Sequence, residues 1–520
     1  MNTKRRLLFS ILSLAFGVGF SGATFKVLDM LETQTTRSWF LEGNKAHQAS
    51  IWGRYPNGWF GGTLAVGDVN GDGFDDLIAN ARNVSEIIPA GGEIYVIPGP
   101  LAFNEVYTMP QRTALVFQGT AGYQPQVGVY LDSGDMNGDG IEDIVMGSWT
   151  LGTAYVYLGS PGIQASSPLT VAVLPENMAL TIFPAGDGLV LCDFNADGYQ
   201  DLFVEILSYG GDLEVWGLLG SSSLTVTQPT TRTLPSDANV IINGFDPTMW
   251  YSPHPQNMAC GDIDGDGYPD LAIGIYSESP SYRHAAGIVY VLRGNPEITS
   301  NNPVTLTMPD QASAIIEGVD GRLDTNGDSL GESLASADVN QDGRADLILG
   351  APGASGPDNL MQYAGEVYLW LGRTLDGQRF VISSQASWIV YGEKPFEGLG
   401  RAIATGDLDN DGFPEILLGC SSCAQEGPPS YSSGRSYVLE PLQIAGLVTV
   451  TAVSQLDVIP YKDVRCLGEA VTAMDLNGDR MSDLVMNAPC TDTPEGNLPG
   501  TVYVVSYPSH FRSFLPLVHK

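Results

Sequence analysis

Acidic side chains recur at fixed offsets in one short stretch of this chain, Asp262-Ile-Asp-Gly-Asp-Gly-Tyr-Pro-Asp270. Carboxylates occupy its first, third, fifth and ninth positions, and a glycine occupies the sixth. Oxygen ligands at alternating positions, with a glycine that permits a sharp turn, suit a flexible Ca²⁺ site of about six to eight oxygens. Because apolar, strand-like residues lie on both sides, we predict a metal-binding hairpin loop and not a helix–loop–helix site.

The same pattern is repeated along the chain. Seven nine-residue segments carry it, and their first residues are separated by 67, 58, 69, 76, 69 and 68 positions. A single copy would also fit an Asp- and Gly-rich turn that never holds metal, but sevenfold recurrence at a nearly constant interval argues against coincidence. We number the segments loops 1 to 7 in chain order: 68–76, 135–143, 193–201, 262–270, 338–346, 407–415 and 475–483.

Each loop belongs to a repeating series of short apolar runs. One run leads into the loop, a second leaves it, a third carries a recurring aromatic residue such as Tyr95, Tyr290 or Tyr368, and a fourth precedes the next repeat. Runs rich in β-branched and aromatic residues, bounded by turn residues, predict strands. Every repeat therefore predicts one small sheet of four strands.

The order of these strands predicts how the chain closes. Six repeats have a fourth run, whereas the seventh ends after its third, and the segment 49–53 has the character of an unpaired fourth strand. Pairing the two would close seven sheets into a ring. We therefore predict an all-β fold: a single seven-bladed β-propeller over residues 49–506 with four-stranded blades, closed by an N-terminal strand in the last blade. Residues 24–48 would be an N-terminal lead and 507–520 a C-terminal tail.

The repeats resemble the FG-GAP repeats of the integrin α-subunit head and of many secreted bacterial proteins. Phe60-Gly61 precedes loop 1, Gly350-Ala-Pro352 follows loop 5, and Asn487-Ala-Pro489 is a weaker version after loop 7. The resemblance spans about residues 49–506 and implies calcium loops that join the first and second strands on the lower face of a propeller. Integrins carry such loops in only some blades, whereas here every repeat has a candidate, so we expect up to seven Ca²⁺ ions with a structural role.

The resemblance also implies the ligands of each ion, namely the side chains at positions one, three, five and nine and the backbone carbonyl of position seven. The implied metal-site residues are Asp68, Asn70, Asp72, Phe74, Asp76, Asp135, Asn137, Asp139, Ile141, Asp143, Asp193, Asn195, Asp197, Tyr199, Asp201, Asp262, Asp264, Asp266, Tyr268, Asp270, Asp338, Asn340, Asp342, Arg344, Asp346, Asp407, Asp409, Asp411, Phe413, Glu415, Asp475, Asn477, Asp479, Met481 and Asp483.

Two loops depart from the pattern. Arg480 replaces the sixth-position glycine in loop 7, and a side chain at a backbone φ above zero costs about 1–2 kcal/mol. Its positive charge would also lie near the ion, so loop 7 is the least certain site. Glu415 replaces the terminal aspartate of loop 6, and its longer side chain should still reach the ion.

Composition excludes several classes of protein. With 43% hydrophobic and 16% charged residues the chain has the material for a core and is not a disordered chain. A formal net charge of −35, with no basic patch, excludes nucleic acid as a partner.

The N-terminal residues predict export. Residues 1–23 resemble a signal peptide, because Lys4-Arg5-Arg6 precedes an apolar run over 7–20 and the small residues Ser21-Gly-Ala23. The alternative is an uncleaved membrane anchor, although the run is short for a spanning helix. We expect a secreted or surface-exposed protein with no integral membrane domain after signal cleavage.

The six cysteines suggest local pairing. Cys466 and Cys490 flank loop 7 symmetrically, so a disulfide across the hairpin is feasible. Cys420 and Cys423 are expected to form a local disulfide, with redox chemistry as the alternative, since a zinc site would need two further soft ligands. Cys192 and Cys260, which lie just before loops 3 and 4, are expected to be buried thiols.

No catalytic motif stands out, whether a nucleophile elbow, a zinc-binding helix or a phosphate-binding glycine loop. With calcium loops on the lower face, the variable connections of the upper face would bind an unknown protein or glycan ligand. Aromatic residues lie in or near those connections: Tyr55, Trp59, Tyr123, Trp149, Trp250, Tyr251, Tyr276, Tyr282, Tyr363 and Tyr431.

The sequence thus favours a secreted or cell-surface calcium-binding propeller that acts as a recognition or adhesion module and is not an enzyme. Two alternatives stay open: a carbohydrate-active lyase or hydrolase on a propeller scaffold, and a purely structural surface protein.

Overall fold

Strand pairing dominates the computed structural model of this chain. The structure describes residues 38–40, 48–55, 57–83, 91–119, 126–148, 150–185, 188–207, 213–225, 227–246, 257–280, 283–320, 327–423, 434–459, 464–491 and 499–506. Within these residues the strands form seven sheets. The signal-peptide region, the C-terminal tail and six of the upper-face aromatics (Tyr123, Trp149, Trp250, Tyr251, Tyr282 and Tyr431) lie outside the described residues.

Each sheet is one blade, and its strands follow the predicted order from the centre outwards. The first strands, in blade order, are β3 (Phe60–Gly67), β8 (Tyr130–Gly134), β13 (Gly188–Cys192), β18 (Met258–Gly261), β23 (Ser333–Ala337), β28 (Ala402–Gly406) and β33 (Val471–Met474). The second strands are β4 (Asp76–Ala81), β9 (Asp143–Ser148), β14 (Asp201–Leu207), β19 (Asp270–Ile275), β24 (Asp346–Ala351), β29 (Glu415–Cys420) and β34 (Asp483–Ala488). The third strands are β5 (Glu93–Ile97), β10 (Thr153–Tyr157), β15 (Leu213–Leu218), β20 (Ile288–Leu292), β25 (Glu366–Trp370), β30 (Arg435–Leu439) and β35 (Thr501–Val505). The fourth strands are β7 (Leu115–Gly119), β12 (Leu180–Phe183), β17 (Val240–Asn243), β22 (Ala314–Glu317), β27 (Trp388–Tyr391), β32 (Ser454–Ile459) and β2 (Gln48–Trp52).

A fifth strand covers the outer edge of every blade. It comes from the N-terminal segment in blade 6 and from the next repeat around the ring in the other six blades. These strands are β11 (Leu169–Val173), β16 (Thr230–Thr233), β21 (Val304–Thr307), β26 (Gln378–Val381), β31 (Gly446–Thr449), β1 (Ser38–Phe40) and β6 (Val106–Thr108). Each pairs in parallel with the fourth strand of the preceding blade. The four predicted strands are present in every blade. The fifth strand, which was not predicted from the sequence, satisfies backbone groups that a four-stranded edge would leave exposed.

The two ends of the chain close the ring. Gln48–Trp52 pairs antiparallel with Thr501–Val505, so the predicted N-terminal closure of the last blade is confirmed. Ser38–Phe40 forms the fifth strand of blade 6. The sequence had assigned this segment to an N-terminal lead outside the propeller. First strands of successive blades contact one another around the whole circle, β33 and β3 included.

The apolar cores lie between neighbouring blades. Among the described residues seven clusters of buried side chains each join one blade to the next. The recurring third-strand aromatic is buried in every blade: Tyr95, Tyr155, Trp216, Tyr290, Tyr368, Tyr437 and Tyr503. A Tyr hydroxyl that is buried needs a partner, and Tyr95 and Tyr368 donate to Glu93 and Glu366 of their own strands.

Helices are short where the structure describes the chain. The α-helices are α1 (Ile382–Gln385) and α2 (Val450–Val453), and single 3₁₀ turns occupy Pro175–Asn177, Pro357–Asn359 and Pro441–Gln443. No helix within the described ranges is long and apolar enough to cross a membrane.

All six cysteines, which lie among the described residues, are paired. The predicted pairs Cys466–Cys490 and Cys420–Cys423 are confirmed. The prediction of buried thiols at Cys192 and Cys260 is wrong, because these two residues form a disulfide with their Cα atoms 5.6 Å apart. Cys192 is the last residue of the first strand of blade 3, and Cys260 is the next-to-last residue of the first strand of blade 4. These two strands contact each other, which brings the two cysteines within the distance that a disulfide requires.

Candidate metal sites

The seven acidic loops share one place in the fold. Each joins the first strand of its blade to the second, so all seven lie on the same face of the ring, which we call the lower face. The first strands line the centre and the second strands carry the ninth loop residue at their start. Sequence position within a repeat therefore fixes where each candidate ligand lies.

Two residues in every loop adopt a left-handed backbone. The fourth and sixth positions have positive φ in all seven loops, and loop 4 shows values of 76° at Gly265 and 91° at Gly267. Glycine occupies most of these positions, since it adopts this conformation without steric cost. Arg480 takes the sixth position of loop 7 with a φ of 69°, so this loop keeps the turn of the others.

Backbone amides hold the candidate ligand side chains. In loop 4 the Asp262 carboxylate accepts hydrogen bonds from the amides of Asp266 at 3.0 Å and Gly267 at 2.8 Å. Asp264 accepts one from the amide of Asp266 at 3.2 Å, and Asp266 accepts one from the amide of Tyr268 at 3.0 Å. The same four bonds occur in each of the other six loops. The loops are therefore one structure built seven times.

The ninth residue of each loop is buried at the start of the second strand. In loop 4 the Asp270 carboxylate accepts bonds from the amides of Ile263 at 2.9 Å and Gly294 at 2.9 Å. The pKa of Asp270 is raised to about 7, first by burial and to a smaller extent by the carboxylates of Asp264 and Asp266, whereas the two hydrogen bonds lower it. The pKa of Glu415 in loop 6 is raised to about 9, again first by burial.

The donor set fits a calcium ion. In loops 4 and 6 one carboxylate oxygen from each of three side chains lies within 4.8 Å of the others: Asp262, Asp264 and Asp270 in the first, and Asp407, Asp409 and Glu415 in the second. Ca²⁺ takes oxygen ligands at about 2.3–2.6 Å, which permits ligand oxygens several ångströms apart. A divalent ion would also offset the mutual repulsion of buried carboxylates, which raises their pKa values.

Neighbouring loops are hydrogen-bonded to one another. The eighth-position amide of a loop donates to the first-position carbonyl of the loop before it: Glu142 to Asp68 at 3.2 Å, Gln200 to Asp135 at 3.0 Å, Ala345 to Asp262 at 2.7 Å and Ser482 to Asp407 at 3.1 Å. Pro269 and Pro414 occupy the eighth position in loops 4 and 6 and have no amide proton. Between blades 3 and 4, where Pro269 prevents this bond, Cys192–Cys260 supplies a covalent link.

Loops 7 and 1 are joined in a different way. The Asp75 carboxylate, at the eighth position of loop 1, accepts a hydrogen bond from the amide of Asp475 at 3.2 Å. A Cβ at Gly478 would meet the ring of Phe74 at 3.0 Å, so the two loops also pack closely. The lower face thus connects the last repeat to the first.

Sequence reasoning missed two charged residues beside these loops. Arg293 lies against Asp264 and Asp266 of loop 4, and Glu440 lies beside loop 6. Both directly follow the third strand of their blades. An alignment of the repeats on their third strands would have placed them at one equivalent position.

The upper face, opposite the acidic loops, carries aromatic side chains among the described residues. Tyr363 and Phe396 form an aromatic pair with ring centroids 5.8 Å apart, and Phe396 is 61% exposed. The guanidinium carbon of Arg82 lies 4.4 Å from the ring centroid of Trp59, over the face of that ring. These residues come from connections between second and third or fourth and first strands, which emerge opposite the acidic loops.

Comparison with known proteins defines the class. The family model described as "FG-GAP repeat" matches residues 60–97, 256–292 and 330–370. The chain carries FG-GAP repeats and is a seven-bladed β-propeller similar to that of integrin α-subunits, as the sequence predicted.

Two kinds of relative share sequence with it. Integrin alpha-PS2 of Drosophila melanogaster is 28% identical over 281 residues, and integrin alpha pat-2 of Caenorhabditis briggsae is 26% identical over 242 residues. These matches cover 52% and 44% of this chain and 17% of each relative. Phosphatidylinositol-glycan-specific phospholipase D of Bos taurus is 36% identical over 166 residues, which is 31% of this chain and 18% of that protein.

These relatives are much longer than the aligned regions, which make up less than a fifth of each of them. Among solved structures, a WD40 domain of Toxoplasma gondii coronin matches 89% of this chain and 85% of that chain with a TM-score of 0.42 and 10% identity. That likeness is too distant to bear on function.

Proposed function

We propose that this chain is a calcium-binding β-propeller that acts as a recognition or adhesion module outside the cell, with ions that stabilise its lower face. The observation that carries the proposal is the sevenfold recurrence of one hydrogen-bonded loop that gathers three or four carboxylates. Without a cation these carboxylates repel one another, and with Ca²⁺ the binding free energy adds to the free energy of folding. In each loop the side chains of positions one, three, five and nine and the carbonyl of position seven would hold the ion.

Calcium content and thermal stability test whether the loops bind stabilising calcium ions. We expect the purified protein to retain up to seven Ca²⁺ ions by elemental analysis and native mass spectrometry. Chelation should lower the melting temperature by roughly 10 °C or more, because it removes several ions at once and with them the binding free energy that each adds to the folded state. A protein that binds no calcium, or whose melting temperature a chelator leaves unchanged, would overturn the proposal.

Three observations support an extracellular location. All six cysteines are in disulfides, and disulfides persist in oxidising compartments. The first 23 residues have the composition of a signal peptide. Calcium sites of modest affinity are filled at the millimolar concentrations found outside cells.

The recognition surface would lie on the upper face. The exposed pair Tyr363 and Phe396 offers aromatic rings of the kind that stack on sugars or anchor a protein partner. We expect Phe396→Ala to weaken binding of any glycan or protein found in an array screen by about tenfold or more. Leu360→Ala, at a neighbouring side chain that is 81% exposed, is the matched control and should leave binding unchanged.

An enzymatic role is the second candidate, favoured by the similarity to a protein named as a phospholipase D. Product formation from a panel of glycosylphosphatidylinositol and polysaccharide substrates would support it. Absence of product from both, alongside array binding, would favour the recognition module. Calcium retention with neither binding nor product would favour a structural surface protein.

A further inference from the structure

One position differs between blades in a way that bears on the calcium loops. The residue directly after the third strand is uncharged in five blades: Pro98, Leu158, Leu219, Leu371 and Ser506. It is Arg293 in blade 4 and Glu440 in blade 6. These are also the two blades whose loops carry an aspartate, and not an asparagine, at the third position: Asp264 and Asp409.

Arg293 shows which way this position faces. Its guanidinium forms an ion pair with the Asp264 carboxylate, and its Nε lies 3.8 Å from the Asp266 carboxylate. The Asp264 side chain is almost completely buried, whereas that of Arg293 is 42% exposed. The guanidinium is fixed further by donation to the carbonyl of Leu375 at 2.7 Å. A long side chain directly after the third strand can therefore reach the ligand residues at positions three and five of the loop.

Glu440 occupies the equivalent place in blade 6 with the opposite charge. It is 7% exposed and accepts a hydrogen bond from the amide of Leu442. Its carboxylate interacts electrostatically with Asp407, Asp409 and Asp411, and with Glu415. Its place directly after the third strand, which matches that of Arg293, and these interactions put its carboxylate within electrostatic range of the four carboxylates of loop 6.

The local charge of the seven loops is consequently unequal. At the four side-chain ligand positions, loops 1, 2, 3, 5 and 7 combine three carboxylates with one asparagine, and the residue after the third strand is uncharged in these blades. Outside those positions, Arg480 adds a positive charge to loop 7, and Asp75 and Glu142 add carboxylates that interact with Asp68 of loop 1. In blade 4 the charge of Arg293 offsets the additional carboxylate of Asp264, with which it forms an ion pair. Loop 6 alone combines four carboxylates at its ligand positions with a fifth at the residue after the third strand. Calcium affinity rises with ligand charge, and charges a few ångströms apart interact more strongly at a partly buried site than in water.

We propose that the residue after the third strand sets the calcium affinity of the adjacent loop: Glu440 makes loop 6 the tightest site, and Arg293 keeps loop 4 at the affinity of the loops that have three carboxylates. This inference rests on the proposed calcium binding. It assigns to Glu440 a place among the groups that attract the ion, as an additional ligand or as a neighbouring charge. It assigns to Arg293 the role of a built-in competitor for Asp264.

The test counts retained ions as free calcium is lowered. Native mass spectrometry of the full chain, in a chelator-buffered calcium series, follows the loss of each ion. We expect Glu440→Gln to shift loss of the last-retained ion to about tenfold higher free calcium or more. Arg293→Leu, which introduces the residue found in blades 2, 3 and 5, should leave one further ion bound where wild type has lost it. Glu176→Gln removes the same charge from an exposed turn and is expected to change neither step.

A double-mutant cycle assigns the effect to loop 6. In an Asp407→Asn background, which disables the first ligand of that loop, Glu440→Gln should have no further effect on calcium retention. Melting temperatures in saturating calcium establish that each variant is folded. Unchanged ion loss in folded Glu440→Gln, or an equal shift in Glu176→Gln, would overturn the inference while leaving calcium binding intact. A wild-type protein without calcium would instead refute the proposed function.

Discussion

Arg480 is the residue at which this chain departs most clearly from its own pattern. It takes the left-handed conformation that glycine takes in the other six loops, and its amide still donates to the Asp475 carboxylate at 2.6 Å. A residue with a Cβ pays roughly 1–2 kcal/mol for this conformation. Loop 7 therefore keeps the backbone turn of the other loops, although Arg480 is strained in it.

Replacing this arginine by glycine should stabilise the protein. We expect Arg480→Gly to raise the free energy of unfolding by about 1 kcal/mol, because the backbone strain is relieved. The greater conformational entropy of a glycine in the unfolded chain reduces this gain. It should also strengthen calcium binding at loop 7, because a positive charge near the ion is removed. Denaturant titration with and without calcium measures both effects. Arg480→Ala removes the charge but keeps the strain, so a gain in stability of the same size there would contradict the backbone argument.

Asp132 gives one residue-scale pH dependence that is separate from the loops. It lies in the first strand of blade 2 and accepts a hydrogen bond from the amide of Leu191 in blade 3 at 2.8 Å. Burial raises its pKa from 3.8 to about 6, against the hydrogen bonds from Leu191 and Ser133, which lower it. Because the folded state binds this proton more tightly, the contribution of Asp132 to stability is greatest below pH 4. It declines as pH rises towards 6 and is constant above that.

Asp132→Asn should remove this pH dependence. Relative to wild type, the variant is expected to gain about 1–2 kcal/mol between pH 4 and pH 6.5, a range discounted because the carboxylate is only half-buried. Denaturant midpoints at both pH values, with calcium saturating, measure the difference. Asp310→Asn, at an exposed position, is the control. A stability difference from wild type that does not vary with pH would show that the argument is wrong.

At the scale of the element, each acidic loop is held by its neighbour as well as by its own hairpin. The bond from the Ser482 amide to the Asp407 carbonyl at 3.1 Å ties loop 7 to the first ligand residue of loop 6. Pro269 and Pro414 show that proline is accommodated at the eighth position of other loops. A proline there removes the inter-loop bond with little change to the turn.

Ser482→Pro should therefore uncouple loops 6 and 7. We expect a loss of about 1–2 kcal/mol in stability from the missing hydrogen bond, and a weaker dependence of calcium loss at one loop on occupancy of the other. Ser482→Ala, which retains the amide, should behave like wild type. Calorimetric calcium titration and thermal unfolding provide the measurements. Equal behaviour of the proline and alanine variants would exclude coupling through this bond.

At the scale of the whole molecule, ring closure depends on a short N-terminal segment. Gln48–Trp52 pairs on one side with Thr501–Val505 and on the other with Val106–Thr108. It therefore joins blade 7 to a strand contributed by the first repeat. Its buried residues Ala49 and Ile51 belong to the core between blades 7 and 1.

Breaking this strand should open the propeller. Ser50 is buried and its amide donates to the carbonyl of Glu105 at 3.2 Å, so Ser50→Pro is expected to cost about 3 kcal/mol or more. Ser50→Ala keeps the amide and should cost far less. Thermal unfolding and limited proteolysis measure the result. A proline variant as stable as the alanine variant would indicate that closure does not depend on this strand.

Much of the fold and of the candidate site follows from contiguous residues. The first-to-fourth strand order, the closing strand near Ile51 and the left-handed sixth position at Arg480 were predictable, because turn chemistry and strand alternation act over a few neighbouring residues. The ligand positions that the resemblance implies stay a prediction, and all five belong to one nine-residue loop.

Only the tertiary structure decided what lies across the gaps between blades and beyond each hairpin. It placed Cys192 against Cys260, gave each blade a fifth strand from outside its own repeat, and brought Arg293 and Glu440 to the acidic loops. These partners are separated by tens of residues along the chain. Packing of successive sheets around the ring brings Cys192 to Cys260, whereas pairing of the second and third strands within one blade brings Arg293 and Glu440 to their loops. The sequence by itself determined the repeated unit and its chemistry, whereas packing of the units around a closed circle determined which units act on one another.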